Sequence, residues 1–252
     1  MKKFLQHILK VSLSIIPEGK LKIFIRKTVL AFRPYLPREL KINKGDTAVQ
    51  VGTPNIFTLS RYRACLGKTG KLFVIEADTN SVKKLKRWID EDEKRKNIII
   101  IHKGAWSEKT ELTFLKAQRP GDNRLYNSNI MTDNDIREEQ ESGGYKEEVK
   151  ISVDTIDNIL QPYNLTRIDY MEVTINGAEY EAIKGAENIL NKTKRIFVKG
   201  HSRDVASNKP ICDDIDSFLK KSGFQTIKTM PDKSIASSWG VREGDIYAFR
   251  SK

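Results

Sequence analysis

Short apolar, β-branched runs alternate with amphipathic stretches along most of the chain, which is typical of strands followed by helices. The most informative stretch is residues 168–187, where the run IDYMEVTI breaks at Asn176-Gly177 and continues directly into a helical pattern. A strand that passes into a helix through a glycine turn places polar side chains at the carboxyl edge of a sheet, where open α/β sheets bind ligands. The pattern therefore predicts one crossing of a doubly wound sheet that carries a small-molecule site.

The same periodicities predict the other elements of an α/β fold. The predicted strands are Thr47–Val51, Lys71–Ile75 (ending at Glu76), Asn97–Ile101, Glu111–Leu115, Lys150–Val153, Asp169–Ile175, Arg195–Lys199, Phe224–Met230 and Asp245–Arg250. The predicted helices are Phe57–Leu66, Ser81–Glu93, Thr155–Gln161, Ala178–Asn191 and Asp213–Ser222. Because strands alternate with helices, we expect a mainly parallel sheet, and the closing strand pair indicates an antiparallel edge. Residues 117–145 are polar and lack periodicity, so we interpret them as a long insertion, either a lid or a disordered segment.

The positive charge is concentrated at the N-terminus. The formal net charge is +12, and the first 46 residues hold eleven Lys/Arg against three Asp/Glu, a net charge of +8. The rest of the chain therefore carries only +4. A nucleic-acid-binding domain is expected to carry a basic stripe on its folded body, so we expect no nucleic-acid partner.

We assign residues 1–44 to a basic, amphipathic helical extension and residues 45–252 to the α/β domain. In the extension, Lys and polar side chains share one helical arc up to Pro17, apolar side chains share the other, and a second apolar segment covers residues 21–32. Neither segment is long and apolar enough to span a bilayer, and no signal cleavage site follows the first. Residues 1–33 can pack on the domain or a partner subunit, or they can lie peripherally on an anionic membrane. The oligomeric state does not follow from the sequence.

Cysteine and histidine usage argues against two kinds of site. Cys65 and Cys212 are far apart, and neither they nor the three histidines have metal-ligand spacing. We therefore predict no metal site. Two free thiols indicate a reducing compartment, which here means the cytoplasm.

The chemistry of a nucleoside site begins at the first strand. It runs into Gly52 and Thr53 before a helix, where backbone can approach a ligand and the helix N-terminus offers N–H groups. The second strand ends at Glu76, where nucleotide-binding α/β folds hold a ribose diol. Alternatively, Glu76 is an acid favoured by the dipole of the next helix. Because the chain has neither a G-x-G-x-x-G motif nor a P-loop, we predict a nucleoside cofactor without pyrophosphate, bound by Gly52, Thr53 and Glu76.

Five segments occur in the order AVQVGTPNIF, GKLFVIEAD, IHKGAWSE, ISVDTIDNIL and DYMEVTINGAEYEAIKGAENIL. Together they resemble an FkbM-type S-adenosylmethionine-dependent methyltransferase over residues 45–250. The resemblance implies a Rossmann-like class I methyltransferase sheet of seven strands, the last inserted antiparallel, and S-adenosylmethionine as cofactor. It also implies methylation of a hydroxyl on a glycan, a lipid-linked sugar or a related small molecule. Ala105 and Trp106 fit the family pattern as cofactor contacts, although Trp106 can equally fill the core. Asp154 and Asp157 are interpreted as helix caps.

The chain departs from the family pattern in two motifs. Where the family has Asp-x-Gly-x-x-x-Gly, this chain has Gln50, Gly52 and Ile56. Where the family has Lys-x-Asp-x-Glu-Gly-Ala-Glu, it has EVTINGAE at residues 172–179, so the Lys, the Asp and the first Glu are replaced. A catalytically degenerate relative that serves as a binding or interaction protein is therefore an alternative. A third hypothesis, a basic surface protein for membrane or nucleic acid, depends on the N-terminal charge alone.

Methyl transfer to an alcohol requires in-line positioning and help with the proton of the hydroxyl. Thr174 and Asn176 follow the strand at residues 169–175 and can orient a hydroxyl, but they cannot act as bases near neutral pH. Glu179 or His201 can act as the base. The alternatives are that Glu179 is a first-turn helix acid and that His201 is a solvated loop residue.

Overall fold

The computed structural model describes residues 42–52, 56–117, 123–126, 145–199, 212–228 and 245–250, which belong to one compact unit, Ile42–Lys252. Except for its last three residues, the predicted N-terminal extension lies outside the described residues. The predicted site residues Thr53 and His201 also lie outside them.

The described residues form eleven strands in two sheets. The strands are β1 (Thr47–Val51), β2 (Lys71–Glu76), β3 (Ile98–His102), β4 (Gly104–Ala105), β5 (Thr110–Ala117), β6 (Arg124–Tyr126), β7 (Tyr145–Asp154), β8 (Tyr170–Val173), β9 (Arg195–Val198), β10 (Gln225–Lys228) and β11 (Ile246–Phe249). The larger sheet has seven strands in the order β10-β11-β9-β8-β1-β2-β3. β11 is antiparallel to both of its neighbours, and the other pairs are parallel. The predicted doubly wound α/β sheet, including its inserted antiparallel strand, is confirmed.

Helices connect the strands of this sheet. They are α1 (Ile56–Leu66), α2 (Thr79–Asp90), α3 (Ile156–Leu160), α4 (Glu179–Lys184), α5 (Glu187–Lys192) and α6 (Cys212–Lys221), with short 3-10 turns at Glu93–Arg95 and Gln161–Tyr163. The inner strands are buried on both faces and therefore appear in the sequence as continuous apolar runs. Among the described residues, no helix is long and apolar enough to cross a membrane.

The helix predicted over Ala178–Asn191 is divided into α4 and α5 at Gly185. A Cβ at Gly185 would lie 2.1 Å from the carbonyl oxygen of Trp106, so the chain at this point approaches backbone closely and only glycine fits. Directly afterwards, the carboxylate of Asp157 accepts the N–H groups of Asn188 and Ile189 at 2.9 and 2.8 Å. These bonds satisfy donors at the start of a helix, so α5 begins as a separate element.

A second sheet, in the order β4-β7-β5-β6, was not expected from the sequence. β5 and β7 pair antiparallel over most of their length, and β6 adds to the other edge of β5. The prediction that residues 117–145 form an insertion without regular structure is therefore wrong for the last residue of β5, for β6 and for the first residue of β7. The pairing joins segments that are far apart in sequence, which local patterns do not report.

Candidate functional site

The carboxyl ends of β1, β2, β3 and β8 lie side by side and form one edge of the large sheet, here called the carboxyl edge. β1 pairs in parallel with both β2 and β8, so Gly52 lies level with Glu76 on one side and with Thr174 on the other. The N–H of Gly52 donates to the carbonyl of Ile75 at 2.8 Å, and the N–H of Thr174 donates to that of Val51 at 2.9 Å. The structure therefore brings together Gly52 and Glu76, the two residues on which the nucleoside prediction depends.

The conformation of Gly52 shows why no other residue fits at the end of β1. Its φ is +76°, and a Cβ would lie 2.2 Å from the carbonyl oxygen of Thr174 and 2.5 Å from a methyl carbon of Ile175. Next to it, the fully buried side chain of Gln50 donates from Nε2 to the carbonyl of Gly52 at 2.7 Å. Gln50, which stands where the family has Asp, thus stabilises the turn through this hydrogen bond.

Glu76 and Asp78 form a buried acidic pair at the end of β2. Asp78 donates its N–H to Oε1 of Glu76 at 2.7 Å, which fixes that carboxylate at the carboxyl edge. The Oδ2 of Asp78 accepts the N–H and the hydroxyl of Ser81 at 2.8 and 2.7 Å. Asp78 is therefore the N-cap of α2, and Glu76 lies two residues before it, so both interpretations of Glu76, as a ribose ligand and as an acid favoured by the dipole of α2, stay predictions.

Two buried acceptors at this edge match the donors of a nucleoside cofactor. Oε1 of Gln50 and Oδ1 of Asp78 are buried, and neither accepts a hydrogen bond within the described part of the chain; a third such atom, Oδ1 of Asn97, lies at the opposite edge, before β3. Leaving a buried acceptor unpaired costs about 1–3 kcal/mol. S-adenosylmethionine carries ribose hydroxyls and two amino groups, all of them donors. The residues present therefore fit this cofactor, and Glu76 would hold its ribose hydroxyls.

Ala105 and Trp106, predicted as cofactor contacts, are both buried. The indole of Trp106 is 2% exposed and packs in an apolar cluster with Phe114, Leu115, Val153 and Ala178. This placement agrees with the alternative reading of Trp106 as a core residue. A contact with adenine stays a prediction.

The turn after β8 is folded around the carboxylate of Glu179. Asn176 and Gly177 have φ values of +52° and +106°. Their conformation allows Oε1 of Glu179 to accept the N–H of Ile175 at 3.0 Å and Oε2 to accept that of Gly177 at 2.8 Å. Glu179 is 1% exposed, so the geometry gives it a structural role. Its assignment as a base stays a prediction.

Asn176 connects the carboxyl edge to the second sheet. Its Nδ2 donates to the carbonyl of Asn123 at 3.0 Å, and the side chain of Asn123 accepts the N–H of Ala117 at 2.9 Å. Thr174 and Asn176 follow β8 at the carboxyl edge and are half-buried, and the hydroxyl of Thr174 donates to the carboxylate of Glu172 at 3.4 Å. This position suits the predicted role of orienting an acceptor hydroxyl, which is not itself tested by these contacts.

Glu172 is a feature of β8 that sequence reasoning recorded only as a departure from the family. Its buried carboxylate accepts hydroxyl donors from Tyr62 and, at 2.9 Å, from Tyr170. Glu172 is also the register partner of Gln50 on β1. The two departures are therefore neighbours on adjacent strands. No signal in a single sequence shows that these positions touch.

His102 is the histidine that the structure describes at the carboxyl edge. It ends β3 as the register partner of Glu76, and its Nε2 lies 3.2 Å from the carbonyl of Ala77. Its strand is separated from β8 by β2 and β1, so His102 lies on the Glu76 side of the carboxyl edge. Among the described residues, no group of His, Cys, Asp and Glu could hold a metal ion.

The VDTIDNIL segment has structural contacts. Thr155 caps α3, and Asp154 accepts the N–H of Thr155 and the side-chain amide of Asn158 at 2.8 and 2.9 Å. Asp157 caps α5 rather than its own helix. The predicted capping role agrees with the contacts of Asp157, although the helix that it caps is α5, whereas the N-cap of α3 is Thr155 and not Asp154.

Comparisons with known proteins agree with the fold. The sequence profile described as the Methyltransferase FkbM domain matches residues 24–226. A crystal structure of methyltransferase FkbM from Methylobacillus flagellatus superposes with a TM-score of 0.54 at 16% identity, and the alignment covers 88% of this chain and 48% of that chain. This chain therefore spans about half the length of that relative.

A second similar structure is Aeropyrum pernix fibrillarin in complex with natively bound S-adenosyl-L-methionine, with a TM-score of 0.51 at 12% identity, covering 88% of this chain and 74% of that chain. At such identities the likeness shows the fold alone. Among curated protein sequences, none matches this chain. The family profile nevertheless covers most of the sequence and includes every strand of the carboxyl edge. The chain therefore belongs to the FkbM methyltransferase family, whose members share the class I fold and the cofactor S-adenosylmethionine.

Proposed function

We propose that this chain is an active S-adenosylmethionine-dependent O-methyltransferase that acts on a hydroxyl of a glycan, a lipid-linked sugar or a related small molecule. The observation that supports the proposal most is the carboxyl edge. There Gly52, Glu76 and Thr174 end three adjacent strands, with two unpaired buried acceptors, on Gln50 and Asp78, beside them.

The residues divide into a cofactor side and an acceptor side. When bound, S-adenosylmethionine supplies an activated methyl group. Glu76 orients the ribose, and Gly52 permits close backbone approach. Thr174 and Asn176 offer a hydroxyl and an amide, which can hydrogen-bond an alcohol and hold it in line without taking its proton. His201 stays the predicted proton acceptor, because Glu179 is engaged by backbone N–H groups.

We also propose a cytoplasmic location with peripheral membrane contact through residues 1–33. The amphipathic pattern and the net charge of +8 in the first 46 residues support that contact. The unpaired thiols of Cys65 and Cys212 support a reducing compartment.

The proposal is tested by following a labelled methyl group from S-adenosylmethionine into a panel of glycans, polyprenyl-linked sugars and small alcohols. We expect label in at least one acceptor, together with formation of S-adenosylhomocysteine. Glu76→Gln should weaken cofactor binding at least about tenfold, since it removes a charge-assisted hydrogen bond, and should lower the transfer by a similar factor at subsaturating cofactor. Glu108→Gln is a matched control, because Glu108 is exposed and makes no described contact. Equal activity in the two variants would contradict the proposed ribose site.

The second candidate is a binding protein that has lost methyl transfer. The observation that favours it is Glu179, whose two oxygens are both engaged by the β8 turn. This candidate predicts measurable binding of S-adenosylmethionine by calorimetry, but no S-adenosylhomocysteine with any acceptor. Binding followed by turnover excludes it.

A further inference from the structure

The net positive charge of the folded domain lies in one segment. Residues 56–96 hold eleven Lys/Arg and six Asp/Glu, a net charge of +5, whereas the rest of residues 47–252 has a net charge of −1. This segment contains α1, β2, α2 and the 3-10 turn Glu93–Arg95. The net positive charge is therefore a local property of this segment.

Four cations form the outward face of α2. Val82 and Leu85 face the core, and the exposed cations around them are Lys83, Lys84, Lys86 and Arg87. At a rise of about 1.5 Å per residue, these cations lie within about 6 Å along the helix axis. Within the described residues, none of their side chains has a hydrogen-bond or ion-pair partner. The four are called the α2 basic face below.

The acidic residues after α2 do not neutralise this face. Arg95 pairs with Glu91 at 3.7 Å and with Asp92 at 3.5 Å, and Lys96 pairs with Glu93 at 2.5 Å. These carboxylates are engaged by the cations of the 3-10 turn. Asp90, the last residue of α2, is exposed and lies one turn after Lys86 and Arg87, so the four cations together with Asp90 leave the α2 basic face with a net charge of +3.

Contacts at both ends of α2 hold this helix in place beside the carboxyl edge. Asp78 caps its first turn, two residues after Glu76. At the other end, the guanidinium of Arg95 lies 4.3 Å from the ring centre of Trp88 and donates to the carbonyl of Trp88 at 2.5 Å. A partner bound on the α2 basic face would therefore lie at a fixed distance from the cofactor.

We propose that the α2 basic face binds the surface of an anionic lipid bilayer. Clusters of four to eight Lys/Arg on an amphipathic helix are typical of anionic-lipid binding, and each cation near the surface strengthens partition by about fivefold. Nucleic acid is the less favoured partner, because binding of single strands uses exposed aromatic side chains and the one on α2, Trp88, is covered by Arg95. The contact does not require methyl transfer, although it would bring the carboxyl edge close to a lipid-linked acceptor.

The test is co-sedimentation of the full chain with phosphatidylcholine vesicles that contain no or 30% phosphatidylglycerol, at low and high salt. The variant Lys83→Gln/Lys84→Gln/Lys86→Gln removes three charges and keeps helix propensity. The matched control removes three exposed lysines that have no described partner and lie away from α2, namely Lys109, Lys192 and Lys221. Both variants retain the N-terminal extension and the same net charge.

We expect salt-sensitive binding to the anionic vesicles alone, and a loss of at least about tenfold in the α2 variant but less than about twofold in the control. Equal losses in the two variants, or none in the α2 variant, would overturn the proposal. A selective loss of binding to a 20-nucleotide RNA, measured by anisotropy without a change in vesicle binding, would overturn it in favour of nucleic acid. Calorimetry with S-adenosylmethionine on both variants tests the cofactor site separately, because neither variant changes a residue of the carboxyl edge.

Discussion

Substitution of Gly52 by alanine is the sharpest perturbation of the carboxyl edge. The φ of +76° costs a residue with a Cβ about 1–2 kcal/mol. In addition, the new Cβ would lie 2.2 Å from the carbonyl oxygen of Thr174, so the β8 turn must move. Overpacking of this kind costs about 1–3 kcal/mol. Gly52→Ala should therefore lower the free energy of unfolding by about 2–5 kcal/mol.

Gly45→Ala is the matched control. Gly45 also has a positive φ, +85°, but a Cβ there would meet nothing closer than the hydroxyl of Thr69 at 3.5 Å. Gly45→Ala should therefore lower the free energy of unfolding only by the conformational cost of about 1–2 kcal/mol. Urea denaturation of the two variants measures the difference, which corresponds to a midpoint shift of about 0.3–1 M for a slope near 3 kcal/mol/M. Gly52→Ala should also weaken S-adenosylmethionine binding, whereas the control should not. Equal destabilisation would refute the close approach of the β1 and β8 ends.

Three further predictions concern buried groups. Burial raises the pKa of Asp169, but a backbone N–H and two neighbouring cations outweigh this and hold the pKa below its ordinary value. The stability that the Asp169 carboxylate contributes is present above about pH 4 and is lost as the pH falls. The free energy of unfolding between pH 7 and 3 should therefore depend less on pH in Asp169→Asn than in the exposed control Asp90→Asn. Glu179→Ala leaves two N–H groups of the β8 turn without their acceptor, so it should lower the free energy of unfolding in urea by about 2–4 kcal/mol. A loss of activity in Glu179→Gln at unchanged stability would instead support a role as base. Trp106→Ala should cost about 3–5 kcal/mol of unfolding free energy, and a cofactor-affinity loss in a stable Trp106→Phe would support the adenine contact.

The central sheet could be predicted because its strands are buried on both faces. The run TAVQV gives β1 the ends that the sequence predicts, Thr47 and Val51, and the run before Glu76 gives β2 within one residue. Parallel strands that are covered by helices need apolar side chains on both faces, so their apolar runs are reliable sequence signals. The shared edge of Gly52 and Glu76 follows from the same topology.

Other features depend on partners that a single sequence does not show. The sequence predicts strands within β5 and β7, at Glu111–Leu115 and Lys150–Val153, but their antiparallel pairing joins segments on either side of the insertion and leaves no mark in either segment alone. The division of the helix at Gly185 reflects contact with Trp106, which lies 79 positions earlier in the chain. The pairing of Gln50 with Glu172 likewise appears only when β1 and β8 lie side by side. The predicted roles of Thr53 and His201 fall on positions outside the described residues.

The most direct test of the central claim, that Gly52 and Glu76 bind one cofactor together, is a crystal structure of the chain with S-adenosylhomocysteine. The ribose hydroxyls should lie about 2.6–3.2 Å from the carboxylate of Glu76, and donors of the ligand should pair with the buried oxygens of Gln50 and Asp78. A nucleoside bound away from the carboxyl edge, or these two oxygens still unpaired in the complex, would contradict the claim.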